Sequence, residues 1–146
     1  LILNQAIDNF EFKSYETSLD VKDFDTSFVK GLSFEDGCAT LTKFTAYLIA
    51  DGLRKINKQN NVNPHQYIFC GGGRKNKSLM QSIENYLVNK NIIIKDIDDY
   101  NFDGNFIESQ AFAYLAIRSY LKLPISFPST TRSKKVISGG DILQNF

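Results

Sequence analysis

The chain has 146 residues, of which 42% are apolar and 23% charged, and its formal net charge is +1. This composition is typical of one globular domain and excludes a disordered chain. A charge so close to zero attracts neither nucleic acid nor an anionic membrane, and no run approaches the ~20 apolar residues of a membrane span, so we expect neither partner.

Residues 1–32 are weakly patterned, with short helical turns expected in LILNQAIDNF and DVKDFDTSF. Ser33 followed by Asp36 is typical of a capping box at the start of a helix. Apolar residues then recur at helical spacing, which predicts a long helix over 34–58. The chain begins with Leu1 rather than Met, so we expect it to be an internal piece of a longer polypeptide.

Two short apolar runs, QYIFC and IIIK, lack alternation and predict strands that are buried on both faces. The helix between them is capped by Asn76 and runs to about Val88. A further helix within 106–123 is apolar nearly all round, so we expect it to be largely buried. The order helix, strand, helix, strand, helix predicts an α/β fold with a parallel strand pair.

Two strands make a marginal sheet, and the helices carry more apolar surface than two strands can cover. We therefore expect additional strands upstream of the long helix. The tail, 124–146, reads as loop with one short strand at 135–137. Cys38 and Cys70 lie inside apolar patterns and are interpreted as buried thiols in a reducing compartment rather than a disulfide.

The other polar residues are interpreted as surface, loop and turn residues. His65 lies in a polar loop and is expected at the surface, without the partners that a metal site needs. The acidic segment DIDDYNFDGN is interpreted as a solvated loop rather than a cation site, with Asp103 and Gly104 shaping the turn before the next helix. No metal-binding residue is therefore predicted.

The most informative stretch is YIFCGGGRKN, residues 67–76, where a strand ends in three glycines. Glycines remove the Cβ atoms that hold a ligand away, and the following helix N-terminus favours anions. Three interpretations are open. The run is a structural turn, or a broken dinucleotide fingerprint with Asp96 or Asp98 as the ribose-binding acid, or the adenosine loop of an actin-like kinase.

The third interpretation is supported by four segments of the sequence: FEDGCATLTKFTA, YIFCGGGRKNKSLM, DGNFIESQAFAYLA and LPISFPSTT. In this order they resemble the C-terminal part of the anhydro-N-acetylmuramic acid kinase family, within the actin/hexokinase/Hsp70-like superfamily. The resemblance implies a partial actin-like ATPase (ribonuclease H-like) C-terminal lobe. Residues 1–146 would form one lobe fragment, with a lead-in at 1–32, an α/β core at 33–123 and a tail at 124–146.

By this resemblance, the activity uses ATP and Mg²⁺ on 1,6-anhydro-N-acetylmuramic acid in cytoplasmic peptidoglycan recycling. Water opens the anhydro bridge, and the released 6-oxygen takes the γ-phosphoryl group. The family's first phosphate loop and catalytic aspartate belong to its N-terminal portion. We therefore expect no catalytic residue in this chain, no activity from it alone, and association with the missing N-terminal lobe.

The resemblance carries over to few residues. Gly71, Gly72, Gly73 and Asn76 match the adenosine loop and are the predicted ATP-binding residues. Glu108 matches an acidic family position at a helix start and is the predicted substrate-binding residue. Its alternative role is a charge favoured in the first turn of a helix.

The sequence also departs from the family pattern. Thr17-Ser18-Leu19-Asp20-Val21 stands where Lys-Ser-Leu-Asp-Arg is expected, and Arg132 stands where a glycine is expected. These changes put phosphate-side or cleft contacts in question. The alternative function is a non-catalytic remnant or subunit that associates with a separately encoded N-terminal half or forms a homo-oligomer.

Overall fold

The computed structural model describes residues 1–10, 19–87, 92–141 and 143. Within these ranges the helices are α1 (Ile2–Asn9), α2 (Phe34–Gln59), α3 (Lys77–Leu87), α4 (Ile107–Tyr120) and α5 (Pro128–Thr131). The strands are β1 (Gln66–Phe69) and β2 (Ile93–Asp96). Short 3₁₀ helices occur at Val21–Asp23, Ser27–Val29, Gly72–Lys75 and Ile97–Tyr100. The predicted order of helices and strands is confirmed. The predicted helix end at Val88 and the residues Thr17 and Ser18 lie outside the described residues.

Helix α2 begins where its sequence signal predicts. The Ser33 Oγ accepts a hydrogen bond from the Asp36 N–H at 3.1 Å, which satisfies one of the free donors of the first turn. Glu35 and Asp36 lie in that turn, where their charges complement the helix dipole. Local capping chemistry thus fixes the start of the longest helix.

The two strands are parallel, as predicted, and α3 is the crossover between them. The register pairs Gln66 with Ile93 and Phe69 with Asp96. Because parallel strands end at the same edge of a sheet, the segments that follow Phe69 and Asp96 emerge side by side. The glycines and the acidic segment are therefore neighbours.

The hydrophobic core lies between α2, α3 and one face of the sheet. Ala46 and Ala50 of α2 and Ile83 and Leu87 of α3 are buried. The small side chains of Ala46 and Ala50 let the two helices approach closely. The sheet contributes partly buried side chains to this core: Tyr67, Phe69 and Ile94.

The opposite face of the sheet is open, which corrects the prediction of strands buried on both faces. Ile68 is 46% exposed and Ile93 is 53% exposed, and exposure alternates along both strands. Apolar residues on both faces of these strands predicted a covering layer. In the described ranges that layer exists on one face only.

Helix α4 is also exposed, contrary to the expectation that it is largely buried. Four of its large apolar side chains are between 57% and 69% exposed: Phe112, Tyr114, Ile117 and Tyr120. The segment after α4 folds back through an antiparallel bridge between Ser126 and Ile137, which is all that the described chain forms of the predicted strand at 135–137. The helix thus presents an apolar surface that the described chain does not cover.

Three further expectations can be compared with the surface. Cys38 and Cys70 are free but exposed, so the prediction of buried thiols is wrong. Cys38 lies on the outer side of α2, and Cys70 follows the end of β1. His65 is exposed, as predicted. In the part of the chain that is described, no helix has both the length and the apolar content to cross a membrane.

Candidate nucleotide-binding site

The glycine loop, Gly71–Gly73, follows β1 at the carboxyl edge of the sheet. It leads through the 3₁₀ turn Gly72–Lys75 into α3. The Asn76 Oδ1 accepts a hydrogen bond from the Leu79 N–H at 3.1 Å, which makes Asn76 the predicted cap of that helix. The Gly73 carbonyl accepts from the Asn76 N–H at 3.0 Å. The loop is therefore anchored firmly at its α3 end.

The three glycines differ in what the backbone requires. Gly71 has φ +83°, in the region that favours glycine. A Cβ on Gly72 would meet nothing within 4 Å among the described atoms, and one on Gly73 would make an ordinary 3.7 Å contact with Leu79. A turn alone explains Gly71 and leaves Gly72 and Gly73 without a backbone reason.

Arg74 organises the site, and the sequence analysis missed it. The residue is only 8% exposed. Its Nε donates to Asp96 Oδ1 at 2.9 Å, and its Nη2 donates to Asp98 Oδ2 at 2.6 Å. The acidic segment is therefore not simply a solvated loop, because two of its carboxylates hold a buried guanidinium.

These groups close a ring of hydrogen bonds that includes two glycines. Arg74 Nη1 donates to the Gly71 carbonyl at 3.0 Å, while Asp98 Oδ1 accepts from the Gly104 N–H at 2.7 Å. The Gly104 carbonyl accepts from the Gly71 N–H at 3.4 Å, which completes the ring. We call Gly71, Arg74, Asp96, Asp98 and Gly104 the Arg74 network.

The network keeps its members charged. Hydrogen bonding to Asp98 raises the pKa of the Arg74 guanidinium above its usual value, against the effect of burial. The Gly104 N–H, followed by Arg74, holds the pKa of the Asp98 carboxyl below its usual value. Both shifts favour the ion pair over the neutral groups.

The network also reaches the start of α4, where Glu108 lies. The Asp103 Oδ1 accepts a hydrogen bond from the Asn105 N–H at 2.9 Å, so Asp103 and Gly104 shape this turn as predicted. Glu108 is exposed in the first turn of α4. That position suits both of its predicted roles.

The dinucleotide interpretation needs a carboxylate that is free to bind a ribose. Asp96 and Asp98 were its candidates, and both are engaged by Arg74. Within the described ranges, no group of three or more His, Cys, Asp or Glu side chains is arranged to hold a metal ion. The geometry leaves the glycine loop as the candidate site.

Comparison with known proteins decides the family. The family model described as anhydro-N-acetylmuramic acid kinase matches residues 8–145. The chain belongs to this family. The resemblance noted in the sequence is thereby confirmed.

Individual relatives agree with this assignment. Anhydro-N-acetylmuramic acid kinases from Pelagibacter ubique, Caulobacter vibrioides and Zymomonas mobilis are 58%, 40% and 39% identical to the chain. The alignment with the Pelagibacter kinase covers all of this chain but 39% of the relative, and the other two cover 86% of the chain and 32% of each relative. The chain thus spans about two fifths or less of the length of these kinases.

The first prediction tests the space that the network needs. In Gly104→Ala the new Cβ would lie 2.6 Å from Arg74 Cζ and 2.7 Å from Ile97 Cγ2, so the surroundings must shift on both sides. Overpacking of this kind costs about 1–3 kcal/mol in unfolding free energy. Urea unfolding should show this loss for Gly104→Ala. Gly72→Ala is the matched control, because its Cβ would enter open space, and equal stability losses for both variants would contradict the geometry.

The second prediction concerns acid. Because the folded pKa of Asp98 lies below its ordinary value of 3.8, its contribution to stability is full above that value and is lost as pH falls through the folded pKa. The melting temperature of Asp98→Asn should lie below that of the wild type at about pH 6, and the gap should narrow as pH falls below 3.8 and through the folded pKa. Asp99→Asn, at an exposed neighbour, is the control. A gap that stays constant with pH would exclude the stabilising ionised Asp98.

Proposed function

We propose that the chain supplies the adenosine half of the ATP site of an anhydro-N-acetylmuramic acid kinase. It would form the C-terminal lobe of an actin-like fold, with its core at 33–123. The observation that carries the proposal is the pair Gly72 and Gly73, which the backbone does not require. Membership in a kinase family suggests a nucleotide as the ligand of their open surface, because a kinase must bind a nucleotide.

The glycine loop suits a nucleotide by its shape. No described atom lies within 4 Å of the position that a Cβ on Gly72 would occupy. A flat or polar ligand group can therefore approach the backbone directly. Asn76 and the first turn of α3 follow at once, and the positive end of that helix dipole favours the nucleotide's anionic side. Gly71, Gly72, Gly73 and Asn76 would hold the nucleotide.

The nucleotide would supply the γ-phosphoryl group, and Mg²⁺ would enter bound to its phosphates. The described residues contain no acidic or histidine cluster for a separate metal site. The acceptor would be 1,6-anhydro-N-acetylmuramic acid, the sugar in the family's name. Water would open its anhydro bridge, and the 6-oxygen that leaves the anomeric carbon would take the phosphoryl group, in the cytoplasmic peptidoglycan recycling that the resemblance implies.

The sugar would lie towards the start of α4, where Glu108 can accept hydrogen bonds from sugar hydroxyls. Glu108 is exposed there, and the Arg74 network ties the preceding turn to the glycine loop. The base that activates water would come from the rest of the kinase, as the resemblance implies. This chain's own contribution is then binding and orientation rather than proton transfer.

A second candidate function is association with the remaining part of the kinase. The outer face of the sheet, with Ile68 and Ile93, and the apolar side of α4 are both exposed. Surfaces of this kind mark interfaces in soluble proteins. The relatives contain more than half of their length beyond the region matched here, which offers a partner for that surface. A homo-oligomer is the competing occupant.

The third prediction tests the nucleotide site. Gly72→Val should weaken ADP binding by the kinase assembled from this chain and its remaining part, by about tenfold or more, because the side chain fills the ligand's space. Since the Cβ meets open space and φ at Gly72 is ordinary, the fold should be unchanged. Calorimetric titration with ADP measures the affinity, and circular dichroism checks the fold.

Two variants control this experiment. Gly72→Ala should fall between the wild type and Gly72→Val, because it adds one carbon to the same surface. Thr45→Val places a valine on the exposed side of α2, away from the loop, by replacing a hydroxyl with a methyl group, and should leave ADP affinity unchanged. A folded Gly72→Val protein with wild-type affinity would remove the glycine loop from the nucleotide site.

The fourth prediction concerns the incomplete kinase. The purified chain should transfer no phosphate to 1,6-anhydro-N-acetylmuramic acid, since loss of catalytic groups costs several orders of magnitude in rate. Co-expression with the remaining part of the Pelagibacter kinase should raise its solubility and give a one-to-one complex. Light scattering after size exclusion measures the stoichiometry, and a coupled ADP assay measures phosphate transfer.

Charged residues on the apolar surface should abolish this complex. Phe112→Lys with Ile117→Lys alters exposed positions of α4, so the fold of the chain should persist. Gln110→Lys is a control in the same helix, because it adds a charge at an exposed polar position and keeps the apolar surface intact. A monomer that unfolds cooperatively and does not bind the partner would contradict the association. Phosphate transfer by the chain alone would show that its catalytic groups are complete.

A further inference from the structure

We propose that Arg74 is the positioning residue of the glycine loop: it sets the direction of the loop backbone and couples it to the turn that begins α4. This role rests on the proposed nucleotide site. Arg74 does not touch the nucleotide in this arrangement. It acts through Gly71, Asp98 and Gly104.

Gly71 is held at both of its peptide groups. Its carbonyl accepts from Arg74 Nη1 at 3.0 Å, and its N–H donates to the Gly104 carbonyl at 3.4 Å. Gly71 has φ +83°, a conformation that glycine adopts freely and therefore leaves easily. The two hydrogen bonds select one of the available conformations, and Gly72 and Gly73 inherit their orientation from it.

The other end of the loop is fixed by Asn76, whose side chain caps α3. Gly72 and Gly73 thus lie between two anchors, one of which is built from side-chain charge. Without the Arg74 side chain the α3 anchor would remain, and Gly71 would keep only two long backbone hydrogen bonds, to the Gly104 carbonyl and from the N–H of residue 74, each 3.4 Å. The backbone of Gly72 and Gly73 would then adopt several orientations, and a nucleotide would bind only a fraction of these conformers.

The chemistry of the contact requires an arginine. The planar guanidinium donates to three acceptors in three directions: Asp96, Asp98 and the Gly71 carbonyl. An ammonium group is a point charge on a flexible stem and cannot reproduce that fork. Gly104 supplies the room, since a Cβ there would lie 2.6 Å from Arg74 Cζ.

The hydrogen bonds of Arg74 do not reach the hydrophobic core. They end on Gly71, Asp96 and Asp98, whereas the core consists of α2 and α3 residues and the inner face of the sheet. A loss of loop order in an Arg74 variant must therefore be distinguished from a general loss of stability. A core variant provides the comparison, because Ile83→Val removes one buried carbon from a fully buried side chain without touching the network.

The experiment compares Arg74→Ala, Arg74→Lys, Lys75→Ala and Ile83→Val. Lys75 is the exposed cation in the same 3₁₀ turn and controls for charge. Hydrogen exchange on the full chain follows peptides that contain Gly71 and Gly104, and ADP titration of the assembled kinase measures affinity. Guanidinium at millimolar concentration is added to Arg74→Ala as chemical rescue.

We expect Arg74→Ala to speed exchange at both glycine segments and to weaken ADP binding by about tenfold. Arg74→Lys should recover part of the affinity, and guanidinium should recover part of it in Arg74→Ala. Lys75→Ala should change neither readout, and Ile83→Val should lower the melting temperature without changing ADP affinity. Unchanged exchange at Gly71 and Gly104 in Arg74→Ala would overturn the proposal.

The affinity data separate this proposal from the proposed site. If Gly72→Val weakens ADP binding and Arg74→Ala does not, the site stands and the positioning role falls. If neither variant changes ADP affinity, the nucleotide site itself falls. Should Arg74→Ala fail to fold, Arg74→Lys replaces it, and wild-type affinity in Arg74→Lys would contradict the need for the guanidinium fork.

Discussion

One buried cation determines how the edge of the sheet that carries the candidate site is arranged. Arg74 lies between the segments that follow the two strands, and it is held by two carboxylates and one carbonyl. Burying a charge costs free energy, which close, charge-assisted hydrogen bonds offset. A two-stranded sheet is too narrow to fix the loops at its edge by packing. Here electrostatics performs that task, and the glycine loop, the acidic segment and the start of α4 all depend on it.

Packing determines the rest of the chain, and it is one-sided. Helices α2 and α3 cover one face of the sheet through small alanines and a few large side chains. The other face and α4 remain open. This asymmetry agrees with the fraction of its relatives that the chain spans. The glycine loop follows β1 at the carboxyl edge of this open sheet.

Local signals in the sequence predicted much of this architecture. The Ser33 and Asn76 caps begin their helices as expected, and the strand pair is parallel, because each feature depends on neighbouring residues. Arg74 could not be found this way, since its carboxylates are 22 and 24 residues away. The predicted burial of both strand faces and of α4 was wrong. An apolar pattern shows that a segment suits a buried position, but it does not show which residues would cover it. The motif placed Gly71–Gly73 together, but backbone angles were needed to separate their roles.

The unequal constraint on the three glycines has an evolutionary consequence. Gly71 and Gly104 are required by backbone conformation and by the space around Arg74, so a folded descendant of this chain retains them whatever it binds. Gly72 and Gly73 meet no such demand, and mutation would erase them first in a copy that is not selected for the nucleotide binding proposed for this loop. A gene decaying towards a purely structural remnant would therefore lose the middle of the motif while keeping its first glycine and its arginine. This chain still carries all three glycines.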